Sequence, residues 1–166
     1  MIKLSPIGKY TQDLTRDDFH FDAAQENAVK NLQRLYDDLI SQPLPVTGFK
    51  KVLNSWKRVV AKPEVKIVKG IYFWGGVGRG KTYLVDTFYD CLPFKNKMRV
   101  HFHRFMHRVH EELKSLQGQS DPLKLIAKRF ADETCIICFD EFFVSDITDA
   151  MILGTLFEEL FAHNVP

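Results

Sequence analysis

Apolar positions in this chain recur first at helical spacing and later in short unbroken runs. Ala28, Leu32, Leu35, Tyr36 and Leu39 share one helical face. Asp22-Ala-Ala-Gln25 ahead of them has the form of a capping box, so a helix is predicted from about residue 22, with Pro43-Leu-Pro45 ending it. Val52, Leu53, Trp56, Val59 and Val60 repeat the spacing and predict a second amphipathic helix over 48–61, broken by Pro63. Residues 1–20 carry no such period and read as irregular. From Val65 the pattern becomes a strand, a glycine-rich turn and a helix to about Leu92, with a turn at Pro93. Arg99 to Phe102 predicts a second strand, followed by a helix to about Gln117. Asp121-Pro122 supplies an N-cap and a first-turn proline for a helix to Ala131. Thr134-Cys-Ile-Ile-Cys-Phe139 is a continuous apolar run, as expected of a strand buried on both faces. Asp146 caps a last helix to His163, after which a new strand begins towards Pro166. Strands alternating with helices make the fold α/β, a parallel sheet with flanking helices.

The turn after Ile71-Tyr-Phe-Trp74 carries the chemistry. Gly75-Gly76-Val77-Gly78-Arg79-Gly80-Lys81-Thr82 matches G-x-x-x-x-G-K-[ST], between a predicted strand and a predicted helix. Such a P-loop curls its N–H groups around phosphate oxygens, with a helix N-terminus aimed at the same charge. Lys81 is predicted to reach the β- and γ-phosphates and the Thr82 hydroxyl to ligate Mg²⁺. The apolar run ends in Asp140-Glu141, two carboxylates costly at the end of a buried strand unless a cation or a catalytic task retains them. Asp140 is the candidate Mg²⁺ ligand and Glu141 the candidate base for the attacking water, with Lys81 as catalytic partner. The two elements together predict nucleoside-triphosphate hydrolysis.

Composition narrows the class. The 166 residues are 45% hydrophobic and 27% charged, which excludes global disorder and allows a real core. No apolar run approaches the roughly 20 residues that span a bilayer, and the start lacks a signal-peptide h-region, so a cytoplasmic location is expected. The three cysteines read as small core residues; Cys135 and Cys138, three apart in a predicted strand, are expected to face opposite sides. The net charge of +2 makes no strong claim, and nucleic acid is not strongly indicated. Lys50, Lys51, Lys57, Arg58, Lys62, Lys66 and Lys69 form a basic stretch, read either as a solvated helix face and linker or as a contact for nucleic acid or an anionic membrane. His103, His107 and His110 fall on one helical face, yet Arg104 and Arg108 beside them oppose a metal.

The segments "GIYFWGGVGRGKT", "VHFHRFMHRVHEELKSLQGQSDPL" and "CFDEFFVSDITDAMIL", with the earlier "FHFDAAQENAVKNLQRLYDDL", resemble the ZapE and AFG-type family, a branch of the AAA+ ATPases. The resemblance implies ATP as nucleotide and Mg²⁺ as its metal, and a ring-forming homo-oligomer that remodels a protein partner. That partner would be the division-ring protein FtsZ, met in the cytoplasm at the inner face of the membrane. It also implies a division of the chain into residues 1–66, a helical segment packing on the core, and 67–166, the first part of an AAA+ core. The sensor strand, arginine finger and helical lid of that core would lie beyond Pro166, leaving sheet and lid truncated. Two other readings share these residues: a helicase-loader-like ATPase acting on DNA, and a nucleotide-dependent interaction module with negligible turnover. Gln25 has two readings, an adenine contact through its amide, with Tyr10, Phe19 or Phe21 stacking on the base, or a residue completing the helix cap. The His101–His110 cluster would serve substrate or subunit contact.

Overall fold

Ser5 and Pro6 start a helix that the apolar period does not announce. In the computed structural model, which describes residues 4–42 and 67–166, the Ser5 hydroxyl accepts from the Gly8 N–H and Pro6 fills the first position of α1 (Pro6–Asp13). The expectation of an irregular start is thereby corrected: capping, not a long apolar stripe, specifies this short helix. Asp22 caps α2 (Ala23–Ser41) by accepting from the N–H groups of Ala24 and Gln25. The predicted helix over 48–61 and most of the basic stretch lie outside the described residues; Lys69, at its end, is exposed. Beyond the glycine-rich turn come α3 (Lys81–Cys91), β1 (Met98–His101), α4 (Phe102–Ser115), α5 (Pro122–Glu133), β2 (Ile137–Asp140) and α6 (Ile147–Ala162). Asp146 caps α6 as predicted, through the N–H groups of Thr148 and Asp149. Asp121 precedes Pro122 with a left-handed backbone and makes no side-chain cap.

β1 and β2 pair in parallel, with Met98 opposite Ile137 and His101 opposite Asp140. β2 starts later than the apolar run because the Thr134 hydroxyl donates to the Ile136 carbonyl (2.7 Å), turning the chain just before the ladder. Cys135 therefore sits in a bend, and strand alternation does not govern it. It lies in the same apolar cluster as Cys138, a correction to the expected opposite facing. Both are free thiols, and burial pushes Cys135 up to about 11 and Cys138 up to about 12.

The strand expected before Gly75 does not form: residues 67–74 join no ladder. Side chains satisfy part of their backbone instead. Val68 N–H donates to Asn164 Oδ1 (2.8 Å), and Arg34 donates to the Lys69 carbonyl (3.3 Å). The segment 164–166 lies against both this stretch and β2: Pro166 stands beside Gly70, and its carbonyl accepts from the Ile137 N–H (3.1 Å). The parallel sheet of the described residues thus has two strands, sandwiched by helices.

The two faces of β2 sort the core. Ile136 and Cys138 pack with Leu32 and Leu35 of α2 and Leu84 and Phe88 of α3. Ile137 and Phe139 pack with Phe105 of α4, Phe130 of α5 and Leu156 and Leu160 of α6. No helix among the described residues is long and apolar enough to cross a membrane.

One buried carboxylate ties α1 to α3. Asp13, 2% exposed, accepts from Lys9 Nζ (2.7 Å) and from the Tyr83 hydroxyl (2.5 Å). Burial works to raise its pKa, but the bonds from Lys9 and Tyr83 outweigh that and hold the carboxyl below its ordinary 3.8. Burial, then the bond to Asp13, pushes Tyr83 up to about 12. Replacing Tyr83 with Phe should cost about 1.5–3 kcal/mol at pH 7, the worth of a hydrogen bond to a charged group. A depressed carboxylate stabilises fully above its unfolded value and loses that effect as pH falls through the folded one. The gap between wild type and variant in urea unfolding should therefore narrow once pH drops below 3.8.

Candidate functional site

The glycine-rich turn is open on one face. Gly75, Gly78 and Gly80 hold φ of 137°, 80° and 73°, and a Cβ placed on Gly75, Gly76 or Gly78 would meet nothing within 4 Å. Gly80 also caps α3, where no side chain can accept from the first-turn N–H groups. Lys81 folds back over the turn, its Nζ donating to the carbonyls of Gly75 (3.0 Å) and Gly76 (2.7 Å). Thr82 is exposed at the start of α3, and Val77 stands fully in solvent.

The first turn of α2 grips the far side of this loop. Asp22 Oδ2 accepts from the Arg79 guanidinium (3.3 Å) while its Oδ1 caps the helix. Gln25 Nε2 donates to the Arg79 carbonyl (3.3 Å). The amide thus does not complete a capping box, and one of its two N–H donors is spent on the loop. Its Oε1 is buried and without a hydrogen-bond partner. Nor do the suggested stacking rings stand ready. Tyr10 is buried edge-on to Phe19, and Phe19 packs on Tyr83. Phe21 is exposed but lines neither cavity at the loop. Trp74, 84% exposed, does line one, at a position the apolar run predicts as the end of a strand.

At the opposite wall β2 ends in Asp140. Alternation puts Asp140 on the same face as Cys138, towards α3, and Arg99 of β1 stands opposite Cys138 on that face. The Arg99 guanidinium donates to Asp140 Oδ2 (2.9 Å) and to Asp86 Oδ1 of α3 (2.9 Å). Glu141 follows with φ 52° and its N–H donates to Asp140 Oδ1 (3.2 Å). A left-handed non-glycine residue costs on the order of 1–3 kcal/mol and marks a constrained position. Sequence reasoning missed Arg99 and Asp86; the available signal was a lone arginine inside a short strand next to the Asp140 strand.

Two cavities meet at Lys81. One, about 410 Å³, lies between residues 70–73 and β2 and is lined by Lys81, Asp140 and Glu141 amid apolar side chains. The other, about 490 Å³, is lined by Gln25, Asn27, Asn31, Trp74, Gly75, Gly76, Arg79 and Lys81. Thr82, Val77, Gly78 and Gly80 line neither. The histidines line neither cavity, although His101 pairs with Asp140 in the ladder: His110 Nε2 lies 2.8 Å from Asp149 of α6, and the rings of His101 and His103 stack at 6.0 Å.

The sequence profile of the AFG1-like ATPases matches residues 4–166. The chain belongs to the AFG1-like ATPase family. It is 50% identical over 170 residues to the cell division protein ZapE of Escherichia coli, covering 99% of this chain and 45% of that protein. It is 37% identical to an uncharacterised protein of Schizosaccharomyces pombe, over 97% of this chain and 41% of the relative. Lactation elevated protein 1 homolog B of Danio rerio is 46% identical over 104 residues, 56% of this chain and 21% of that protein. This AFG1-like chain therefore spans less than half the length of the curated relatives it matches. No solved structure matches it.

The residues present suit what an AFG1-like ATPase would hold. The open loop face, the uncapped N–H groups of α3 and one lysine suit an anionic polyphosphate. The carboxylate of Asp140 and the hydroxyl of Thr82 are hard oxygen donors of the kind Mg²⁺ takes. Gly80 is the loop's tightest point, since its Cβ would come within 2.8 Å of Gln25 Nε2. Gly80→Ala should destabilise by about 1–2 kcal/mol from the left-handed backbone alone, with a steric cost added. Measured against Gln25→Ala alone, which carries the loss of the bond to the Arg79 carbonyl, the double variant should show only the backbone part, read as midpoint shifts in urea titrations of the three variants.

Proposed function

We propose that this chain binds ATP with Mg²⁺ at Gly75–Thr82 and that the longer protein hydrolyses it as an AAA+ ATPase. The observation that carries the reading is the gathering of Lys81, Asp140 and Glu141 around one cavity beside the glycine-rich loop. The loop N–H groups and the Lys81 ammonium would bind the triphosphate, Lys81 exchanging its contacts with the Gly75 and Gly76 carbonyls for phosphate oxygens. Asp140 and the Thr82 hydroxyl would hold Mg²⁺, which when bound neutralises charge on the β- and γ-phosphates. Glu141, exposed at the rim, would take the proton of the attacking water. Gln25 contributes by fixing the Arg79 carbonyl, and its Oε1 is an acceptor of the kind that adenine's amino group would satisfy.

The work done with that energy is read from the relatives. ZapE is a cell division protein; we infer an equivalent role here, in which a ring of identical subunits remodels FtsZ in the cytoplasm at the inner membrane face. FtsZ polymer sedimentation in the presence of the full-length protein should change with ATP, and should cease to change for Lys81→Ala.

Two substitutions test the chemistry. Lys81→Ala should weaken ATP binding by several kcal/mol, at about 1.5–3 per charge-assisted bond lost; unchanged affinity in calorimetric titration with ATP and Mg²⁺ would remove the loop from the site. Glu141→Gln in the full-length protein should keep ATP affinity while single-turnover hydrolysis falls about 10²-fold or more. Unaltered hydrolysis would assign the base elsewhere.

A further inference from the structure

Arg99 is a charged group that the proposed chemistry does not use, and its bond to Asp140 places it where that chemistry must contend with it. Its guanidinium, 19% exposed, sits between two carboxylates: Asp140, 22% exposed, on β2, and Asp86, 54% exposed, on α3. Burial opposes its charge, but the bonds to Asp86 and Asp140 more than offset this. Both oxygens of Asp140 are engaged, Oδ2 by Arg99 and Oδ1 by the Glu141 N–H. A divalent cation approaching Asp140 therefore meets a fixed positive charge already bonded to its ligand, and like charges a few ångströms apart in a half-buried site repel strongly. The guanidinium need not enter solvent to yield, because the more exposed Asp86 already holds it through Nε.

We propose that Arg99 is an internal counter-cation that competes with Mg²⁺ for Asp140, and that Asp86 is the acceptor onto which it moves when the metal binds. Arg99 is a positioning residue: it sets the Mg²⁺ concentration at which the site loads. Asp86 lies five residues after Lys81 on the same helix, so the exchange links the acid wall of the site to α3 and the loop ahead of it. The inference rests on the reading of the site as one for Mg²⁺–ATP.

The experiment is equilibrium binding of a fluorescent ATP analogue to the full chain across a Mg²⁺ titration, with EDTA as reference, for wild type, Arg99→Gln, Arg99→Lys and Asp86→Asn. Arg99→Gln should lower the Mg²⁺ concentration giving half the metal-dependent gain in affinity by about tenfold, as removal of a neighbouring like charge implies. Asp86→Asn should raise it, because the guanidinium then has Asp140 alone. Arg99→Lys keeps the cation and should stay near wild type. A merely structural role would move Arg99→Gln and Asp86→Asn in the same direction, and that result, or an Arg99→Gln curve superposing on wild type, overturns the proposal. Should Arg99→Gln fail to fold, Asp86→Asn decides alone: an unchanged or lowered Mg²⁺ requirement overturns it. Wild-type protein that binds no nucleotide at all would instead overturn the reading of the site, and this inference with it.

Discussion

Everything in this structure depends on one four-residue strand having to be buried on both sides. β2 (Ile137–Asp140), with Ile136 ahead of it, presents alternate side chains to two separate apolar clusters, one built by α2 and α3 and the other by α4, α5 and α6. No side of such a strand can tolerate an unpaired charge, so the first carboxylate appears where it ends. Asp140 is that first group, and the register with β1 supplies the arginine that makes its partial burial tolerable. The position of the acids relative to the glycine-rich loop is thus a by-product of packing: the face that carries Cys138 and Asp140 is the face α3 covers.

The loop itself is held from outside. Among the described residues no strand ladder supports residues 67–74, so what fixes Gly75–Thr82 is helical: the N-terminal turn of α2, through Asp22 and Gln25 on Arg79, and the start of α3. α3 is in turn secured by Tyr83 on the buried carboxylate of Asp13. The amino-terminal helices therefore act on the site through hydrogen bonds at two points within five residues of the loop's lysine. A contribution of this kind leaves no periodic trace in the sequence.

That contrast explains what could be read beforehand. Patterns governed by local rules were legible: the loop motif, the acid pair closing an apolar run, the Asp22 and Asp146 caps, and the stripe of α2. The start at Ser5-Pro6 carried a legible cap too, but with eight residues and no apolar stripe a search for periodicity passes over it. The expected strand at 71–74 failed for another reason. An apolar run shows that a segment suits a strand, whereas a strand exists only with a neighbour to pair with, and pairing is not written in the run. Gln25 reads from the sequence as an adenine contact or a cap residue, and its bond to the Arg79 carbonyl is not legible there, since Arg79 lies 54 positions away. Arg99 escaped notice because a charge in a half-buried strand reads as an ordinary edge residue until the register is known.

Among the described residues three non-glycine positions have left-handed backbone, and one of them, Glu141, borders the cavity beside the loop. Of the non-glycine residues with left-handed backbone, Glu141 follows the buried strand, while Asp121 and Asn164 serve chain turns. Asn164 uses that conformation to accept from Val68 and donate to Gln42, holding the approach to the loop. Among the described residues Glu141 makes no comparable side-chain bond to justify its own φ. Its backbone N–H turns back onto Asp140, which lets the chain leave the sheet at once and keeps the next carboxylate at the cavity rim and away from the core. A glycine would adopt the same turn without strain. That a glutamate occupies it argues that the carboxylate, not the turn, is what this position preserves.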